Sequence, residues 1–337
     1  MLNQSFISLA TTVVFGVSWA ANLCVAEEML GPIRIAISRA IPLLQAGAQG
    51  SSEQRKCFTC HSQAVPVLAL AQARAKGFAI DEQIFDQQVE HTLAHLKRGQ
   101  KEYVAGRGQG GGVMTAGYAL WTLDTDEHGP SEVTAAVANF LLSHQQNSNR
   151  WRQASKRPPT SGSDFTTTYV ALRGLLTFGT ESQQPAIAKR AQQVSEWVLK
   201  QDPVETEDRV FRLLITALIQ ADQATIQNAI STLVDSQQTD GGWGQIENAP
   251  TDTYATATAM FALQHAGKLT QEHACIQSGI EYLLQHQLDD GSWHVVSRAD
   301  PFQTYFESGF PHGNDQFISI AASGWATLAL SLSLPTD

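Results

Sequence analysis

An all-α fold built from repeated pairs of helices is predicted for this chain by two observations. Three segments carry a Gln six residues before a Trp, where an apolar helical pattern ends and a turn rich in Asn, Asp and Gly follows. Strand-like alternation of apolar and polar residues is scarce. The three segments are FLLSHQQNSNRW (140–151), TLVDSQQTDGGW (232–243) and YLLQHQLDDGSW (282–293).

A second helix, rich in small residues, is predicted after each Trp and its loop. The sequences are FTTTYVALRGL, TYATATAMFAL and SIAASGWATLAL. The segments 113–123 and 210–220 have a similar pattern of residues. Small side chains let helices approach closely. This pattern predicts about five to six helix pairs between Ala64 and the C-terminus, which can stack into an open solenoid or close into a ring.

The Gln-to-Trp segments resemble the QW motifs of the squalene-hopene cyclase and protein prenyltransferase superfamily. The resemblance covers roughly residues 64–335 and implies a closed α/α toroid of inner and outer helices, which we assign to residues 64–337. It also implies that the Gln and Trp side chains tie neighbouring helices together. In this chain those residues are Gln145, Trp151, Gln237, Trp243, Gln287 and Trp293.

Composition and charge describe a folded protein that does not bind nucleic acid. The 337 residues are 43% hydrophobic, which is enough to bury a core, and the formal net charge is -10. Binding to nucleic-acid phosphates needs clustered Lys and Arg, and the sequence contains no such cluster.

The N-terminus has the pattern of a secretory signal. Residues 1–26 carry no charged side chain, run apolar from Phe6 to about Ala21, and end in the small-residue pattern Cys24-Val25-Ala26. We predict a signal peptide at 1–26 and a periplasmic or otherwise exported protein. The alternative is an uncleaved anchor, although the apolar run is shorter than the roughly 20 residues that span a bilayer. Residues 27–63 then form an N-terminal segment.

The sequence Cys57-Phe58-Thr59-Cys60-His61 in that segment matches the attachment motif of c-type haem in full. The two thiols of such a motif add to the haem vinyl groups, and the adjoining His binds the iron. Attachment takes place outside the cytoplasmic membrane, in agreement with the signal-like start. We predict haem c, with Cys57 and Cys60 as thioether residues and His61 as proximal ligand.

Other roles for the two thiols stay open. A zinc site needs four ligands, and His91 and His95, one helical turn apart, could complete a set of two cysteines and two histidines. A disulfide or a pair of inert thiols is the remaining alternative. Cys275 lies in a helical pattern and is interpreted as a small buried hydrophobic residue.

Candidates for the distal side of the iron follow from ring closure. If the first helix pair packs beside the last, residues near 60 lie close to the segment 302–317, which contains Glu307, His312 and Asp315. We take His312 as the first candidate for a distal ligand, Met114 as the second and His294 as the third.

The cyclases that this chain resembles protonate an alkene with a DxDD motif, and this sequence contains no DxDD. Asp164, Asp252 and Glu307 are the weak catalytic candidates, and the two aspartates precede small-residue helices, where capping is their simpler role. Six aromatic residues could line a cavity, although core packing is the simpler interpretation: Tyr118, Trp121, Tyr169, Tyr254, Phe261 and Trp325.

Three functions are compatible with these patterns. The first is electron transfer or redox chemistry by an exported haem c toroid, with a redox protein or a small apolar molecule as partner. The second is a terpenoid cyclase-like or prenyltransferase-like enzyme without the DxDD acid. The third is a noncatalytic module that binds a lipid, a sugar or a protein.

Overall fold

The computed structural model describes residues 14–155, 157–301 and 304–335, with side chains from Met29 onward. The predicted signal peptide lies largely outside this part: residues 1–13 are not described, and residues 14–26 are described only as the start of a helix. Within the described part no helix is both long and apolar enough to cross a membrane.

Six helix pairs make up the described part of the chain. The sequence predicts five to six pairs after Ala64, whereas the first helix of the first pair precedes Ala64. The first helix of each pair lies on the outside: α1 (Val14–Gln54), α3 (Glu82–Arg98), α6 (Glu132–Ser143), α8 (Gln184–Val198), α10 (Gln223–Val234) and α12 (Ala274–His286). The second lies on the inside: α2 (Val65–Ala75), α5 (Gly112–Thr125), α7 (Asp164–Phe178), α9 (Thr206–Leu218), α11 (Thr253–His265) and α13 (Gln316–Leu332). A short helix α4 (Gln100–Val104) precedes α5, and β1 (Trp243–Gly244) pairs with β2 (Thr251–Asp252).

The inner helices close into a ring, because each contacts the next and α13 packs on α2. Small residues bring them together as the sequence predicted. A Cβ on Gly324 of α13 would lie 2.7 Å from Cγ1 of Val65, and one on Gly117 of α5 would lie 2.6 Å from Cγ2 of Val170. The interior is therefore a packed core of helices in close contact.

The ring includes residues before Ala64. Helix α1 packs against α2, α3, α12 and α13 and is the outer partner of α2. Gly50 of α1 lies so close to the last loop that a Cβ there would fall 2.1 Å from the Ser308 carbonyl oxygen. The segment 27–63 thus supplies most of the outer helix α1.

The Trp of each repeat forms the same two hydrogen bonds. Its indole Nε1–H donates to the carbonyl ten residues earlier: Trp151 to Leu141 (2.9 Å), Trp243 to Leu233 (2.9 Å) and Trp293 to Leu283 (2.7 Å). Its backbone N–H donates to a hydroxyl on the next inner helix: Thr168, Thr256 and Ser323. Each Trp thereby joins an outer helix to the inner helix that follows, which confirms its structural role.

The repeat glutamines join neighbouring outer helices in two of the three repeats. Nε2 of Gln237 donates to the Cys275 carbonyl at the start of α12, and Nε2 of Gln287 donates to the Ala36 carbonyl of α1, both at 2.9 Å. Gln145 differs: its Oε1 accepts from the Arg152 N–H at 2.7 Å. Here Arg190 of α8 connects the helices instead, with its guanidinium 3.8 Å from the Trp151 ring centroid.

Replacing Gly291 should weaken the ring where α12 meets α1. Gly291 has a φ of +93°, and a Cβ there would lie 2.6 Å from the Arg39 carbonyl oxygen. Gly291→Ala should lower the free energy of unfolding by about 2 kcal/mol or more, since strain and steric overlap add. Urea denaturation of both proteins measures the difference.

Gly129→Ala is the matched control, because a Cβ on Gly129 meets nothing within 4 Å. Equal urea midpoints for the two variants would contradict the argument.

Candidate functional site

The CxxCH motif lies at the end of the ring where the inner helices begin. Cys60–Ala64 form one turn of π-helix that continues directly into α2. This turn packs against α5 and α13, and the edge of the His61 ring meets Phe317 at a centroid distance of 5.4 Å. The prediction that residues near 60 lie beside the last repeat is confirmed.

Helix α3 holds the backbone in front of this turn. A guanidinium nitrogen of Arg98 donates to the Lys56 carbonyl, and Nδ1 of His95 accepts from the Phe58 N–H at 3.3 Å. Burial lowers the pKa of His95 to about 4, so its imidazole is neutral and can accept this bond. The sequence offered His91 and His95 only as metal ligands, whereas His95 positions the motif.

The zinc alternative gains no support from this arrangement. Among the described side chains, those of residues 29–155, 157–301 and 304–335, no three His, Cys, Asp or Glu are grouped so that they could hold a metal ion. His91 and His95 both lie near the 57–58 backbone, and burial lowers the pKa of each.

The donor set of the motif fits a covalently attached haem. Cys57, Cys60 and Cys275 are free thiols; Cys57 is exposed and Cys60 half-buried, with its Sγ 3.9 Å from the Met114 carbonyl oxygen. Burial raises the pKa of Cys60 to about 12, so it is a protonated thiol at neutral pH. Burial and the nearby charge of Arg157 lower the pKa of His61 to about 4, which leaves a neutral imidazole of the kind that binds iron.

Glu207, in the first turn of α9, is a buried acid in the ring interior. The residue is 3% exposed, and its Oε1 accepts from Thr166 Oγ1 at 2.8 Å. Its other oxygen, Oε2, is enclosed and forms no well-aligned hydrogen bond among the described residues, although the Tyr254 hydroxyl is close enough to lower the pKa of the carboxyl. Burial raises the pKa of this carboxyl to about 8, so it is mainly protonated at pH 7.

Two buried tyrosines accompany this acid. The hydroxyls of Tyr118 and Tyr254 are enclosed and form no well-aligned hydrogen bond in the described structure. Burial raises the pKa of both well above 10, and a charge on Glu207 raises each further, so the three side chains are neighbours. A charge on Cys60 also raises the pKa of Tyr118. The cluster Glu207, Tyr118 and Tyr254, called here the interior acid cluster, therefore borders the CxxCH motif.

Sequence reasoning missed Glu207. An acidic residue in the first turn of a helix is ordinarily a surface residue that stabilises the helix end. The adjacent Asp208 has that role, because its carboxylate accepts the Val204 N–H at 3.0 Å. The one signal in the sequence is that Glu207 adds a second carboxylate next to the capping Asp208.

The aromatic candidates form the core of the ring, in agreement with the simpler interpretation. Trp121 is central: its ring centroid lies 5.5 Å from Tyr169, 5.9 Å from Tyr118 and 6.1 Å from Trp325. Phe261 packs 5.0 Å from Trp325. This aromatic column fills the middle of the ring behind the interior acid cluster.

The predicted carboxylates have different roles. Asp252 caps α11 by accepting the Ala255 N–H at 3.0 Å, as expected, and burial raises its pKa to about 6. Asp164 does not cap α7, because Ser163 accepts the Phe165 N–H at 3.0 Å. Asp164 instead forms an ion pair with Arg150 at 2.6 Å. Glu307 is exposed and accepts a hydrogen bond from the Tyr305 hydroxyl.

Of the three distal candidates, His312 and His294 lie together, whereas Met114 has different surroundings. Met114 is buried beside Cys60. His312 lies in the loop before α13, where its Nε2 pairs with Ser292 Oγ at 2.7 Å. Its ring stacks on His294 at 4.6 Å, and His294 Nε2 pairs with Asp315 Oδ2 at 2.9 Å. The two histidines thus connect the turn of the third repeat, around Ser292, to the residues just before α13.

Comparison with known proteins identifies the architecture. A family model described as the squalene-hopene cyclase C-terminal domain matches residues 204–322. A variant of the type II terpene cyclase MstE from Scytonema, solved with geranylgeranyl dihydroxybenzoate as substrate, superposes with a TM-score of 0.57. The identity is 15%, over 91% of this chain and 99% of that chain. The chain is an α/α toroid.

A second MstE variant, solved with merosterolic acid A as product, superposes on this chain with a TM-score of 0.56. The identity is 14%, over 91% of this chain and 98% of that chain. No curated protein matches the toroid. The sequence resemblance to this superfamily is thereby supported at the level of the fold.

Glu207 should make the stability of the toroid depend on pH. Burial raises the pKa of Glu207 in the folded protein to about 8. Its contribution to the free energy of unfolding is therefore fully present below the ordinary pKa of a glutamate and is lost as the pH rises through 8. Glu207→Gln should remove this loss. Urea denaturation at intervals from pH 5 to 8.5 should show the free energy of unfolding falling more for the wild type than for the variant.

Glu272→Gln is the control, since Glu272 is exposed. Parallel pH profiles for wild type and Glu207→Gln would show that the carboxyl is not held protonated.

Proposed function

We propose that this toroid is an exported c-type haem protein that transfers electrons or performs redox chemistry on a small or apolar molecule. The observation that carries the proposal is the CxxCH motif, whose two free thiols and neutral imidazole lie together at one end of the inner ring. A bound haem would exchange electrons there. Cys57 and Cys60 would hold it covalently, and His61 would be the proximal ligand.

The surroundings of the motif agree with this role. The guanidinium of Arg157 lies close enough to Cys60 and His61 to affect the pKa of both, and a guanidinium suits the carboxylates of a haem. Of the distal candidates we now place Met114 before His312. The Met114 backbone carbonyl lies 3.9 Å from the Cys60 Sγ, whereas the Nε2 of His312 is engaged by Ser292.

Export is part of the same proposal. Covalent attachment to CxxCH takes place outside the cytoplasmic membrane, and residues 1–26 have the pattern of a secretory signal. A redox protein or a small apolar molecule would be the partner.

Expression with the cytochrome c maturation machinery tests the cofactor. The purified protein should contain one covalent haem, seen as a red haem-stained band after denaturing electrophoresis and in a pyridine haemochrome spectrum. Cys57→Ala with Cys60→Ala should abolish both signals. His61→Ala should change the visible spectrum, because the proximal ligand is removed.

Cys275→Ala and His128→Ala are the matched controls, one a buried thiol and one a histidine away from the motif, and both should leave the spectrum unchanged. Colourless wild-type protein after proper maturation would overturn the proposal.

A second candidate function is acid catalysis in the ring interior, which the cyclase-like fold and one observation favour. Glu207 is a protonated carboxyl beside a column of aromatic rings, which can stabilise cationic charge. A proton held with a pKa of about 8 is released less readily than that of an ordinary carboxyl. The substrate would therefore present an oxygen atom to the acid, since oxygen is more basic than a simple alkene.

Incubation with geranylgeranyl-bearing phenols and epoxidised isoprenoids tests this candidate. Wild type and the Cys57→Ala, Cys60→Ala double variant should convert at least one of them to a cyclic product. Glu207→Gln should reduce the rate at least 100-fold, whereas Glu272→Gln should not. Turnover that survives Glu207→Gln would contradict the assignment.

A further inference from the structure

A cavity of about 240 Å³ opens at the end of the ring opposite to the CxxCH motif, where the inner helices end. It lies between α7, α9 and α11, and the aromatic column separates it from the motif. Its lining includes Tyr169, Leu214, Ala217, Leu218, His265 and Lys268. We call this space the basal cavity.

The walls of the basal cavity are apolar and already in place. Leu214 and the ring of Tyr169 are buried, and Ala217 and Leu218 are half-buried on the last turns of α9. Contact with such walls favours apolar ligands by removing their surface from water. An apolar cavity of about 150 Å³ is large enough for benzene. The basal cavity therefore has room for one aromatic ring with a small substituent.

The rim of the basal cavity is basic. Lys268 has a φ of +58°, and its Nζ donates to the His265 carbonyl at 2.7 Å. Burial, and to a smaller extent the nearby charges of Lys268 and Arg173, lower the pKa of His265 to about 4.

Arg173 connects this rim to the cavity wall. Its Nη2 pairs with Asp124 at 2.5 Å, and its guanidinium affects the pKa of Tyr169. Its Nη1 is buried without a hydrogen-bond partner among the described residues. Because Asp124 and the Trp121 ring engage the Arg173 guanidinium, Lys268 supplies the positive charge at the rim of the cavity, in a chain whose net charge is -10.

We propose that the basal cavity binds a small aromatic carboxylate, with its ring among Leu214, Leu218 and Tyr169 and its carboxylate at Lys268. The apolar walls supply attraction for the ring, and the ammonium of Lys268 selects the charge of the head group. The site needs no haem, because the aromatic column keeps it apart from the CxxCH motif.

Isothermal titration of the full chain with benzoate, benzyl alcohol and benzylamine tests the proposal. Benzoate should bind at least tenfold more tightly than benzylamine, and the affinity for benzyl alcohol should lie between the two. Lys268→Ala should weaken benzoate several-fold and leave benzyl alcohol unchanged. Lys189→Ala, which changes an exposed lysine on α8, should alter neither.

Substitutions that fill the cavity provide a second test of the proposal. Leu218→Trp should abolish binding of all three probes, and the milder Ala217→Leu should weaken it if the larger change prevents folding. The Cys57→Ala, Cys60→Ala variant should bind benzoate as the wild type does, so failure of the haem proposal would not affect this test. Three outcomes would overturn the proposal: no saturable binding of any probe, binding unaffected by a filled cavity, or benzylamine equal to benzoate.

Discussion

The contact between the first and last inner helices is the interaction on which the rest of the structure depends. Val65 and Gly324 let α2 and α13 approach so closely that the ring closes. Closure places His61 against Phe317, although 256 residues separate them in sequence. An open arc of the same helices would leave the motif beside solvent and the interior acid without walls, since each group is enclosed by helices from distant parts of the chain.

Local rules explain why the repeats could be predicted. The Trp hydrogen bonds to Leu141, Leu233 and Leu283 each span ten residues, so a fixed spacing is sufficient to encode them. Gln145 shows the limit of this reasoning. A Gln at the same distance before the Trp forms a different hydrogen bond there, to the backbone of Arg152. Arg190 lies over the Trp151 ring and connects the helices instead of the Gln.

Contacts across the ring explain what could not be predicted. Glu207 is buried because Thr166, Tyr118 and Tyr254 meet it from three other helices, and no pattern within α9 distinguishes it from the capping Asp208. Asp164 was assigned a cap that its neighbour Ser163 takes, a choice that depends on backbone geometry rather than on residue type. The position of the CxxCH motif could be predicted only because closure was assumed.

The two ends of the ring differ in chemistry because all inner helices run in the same direction. At their N-termini, orphan N–H groups and partial positive charge accompany carboxyls such as Glu207 and Asp252. At the C-terminus of α11, Lys268 donates to the carbonyl of His265, as the reversed dipole favours. The aromatic column around Trp121 excludes water between the two ends. The chemistry proposed at the motif and the binding proposed at the basal cavity would therefore share no solvent path, and any coupling between them would have to pass through the packed aromatic side chains.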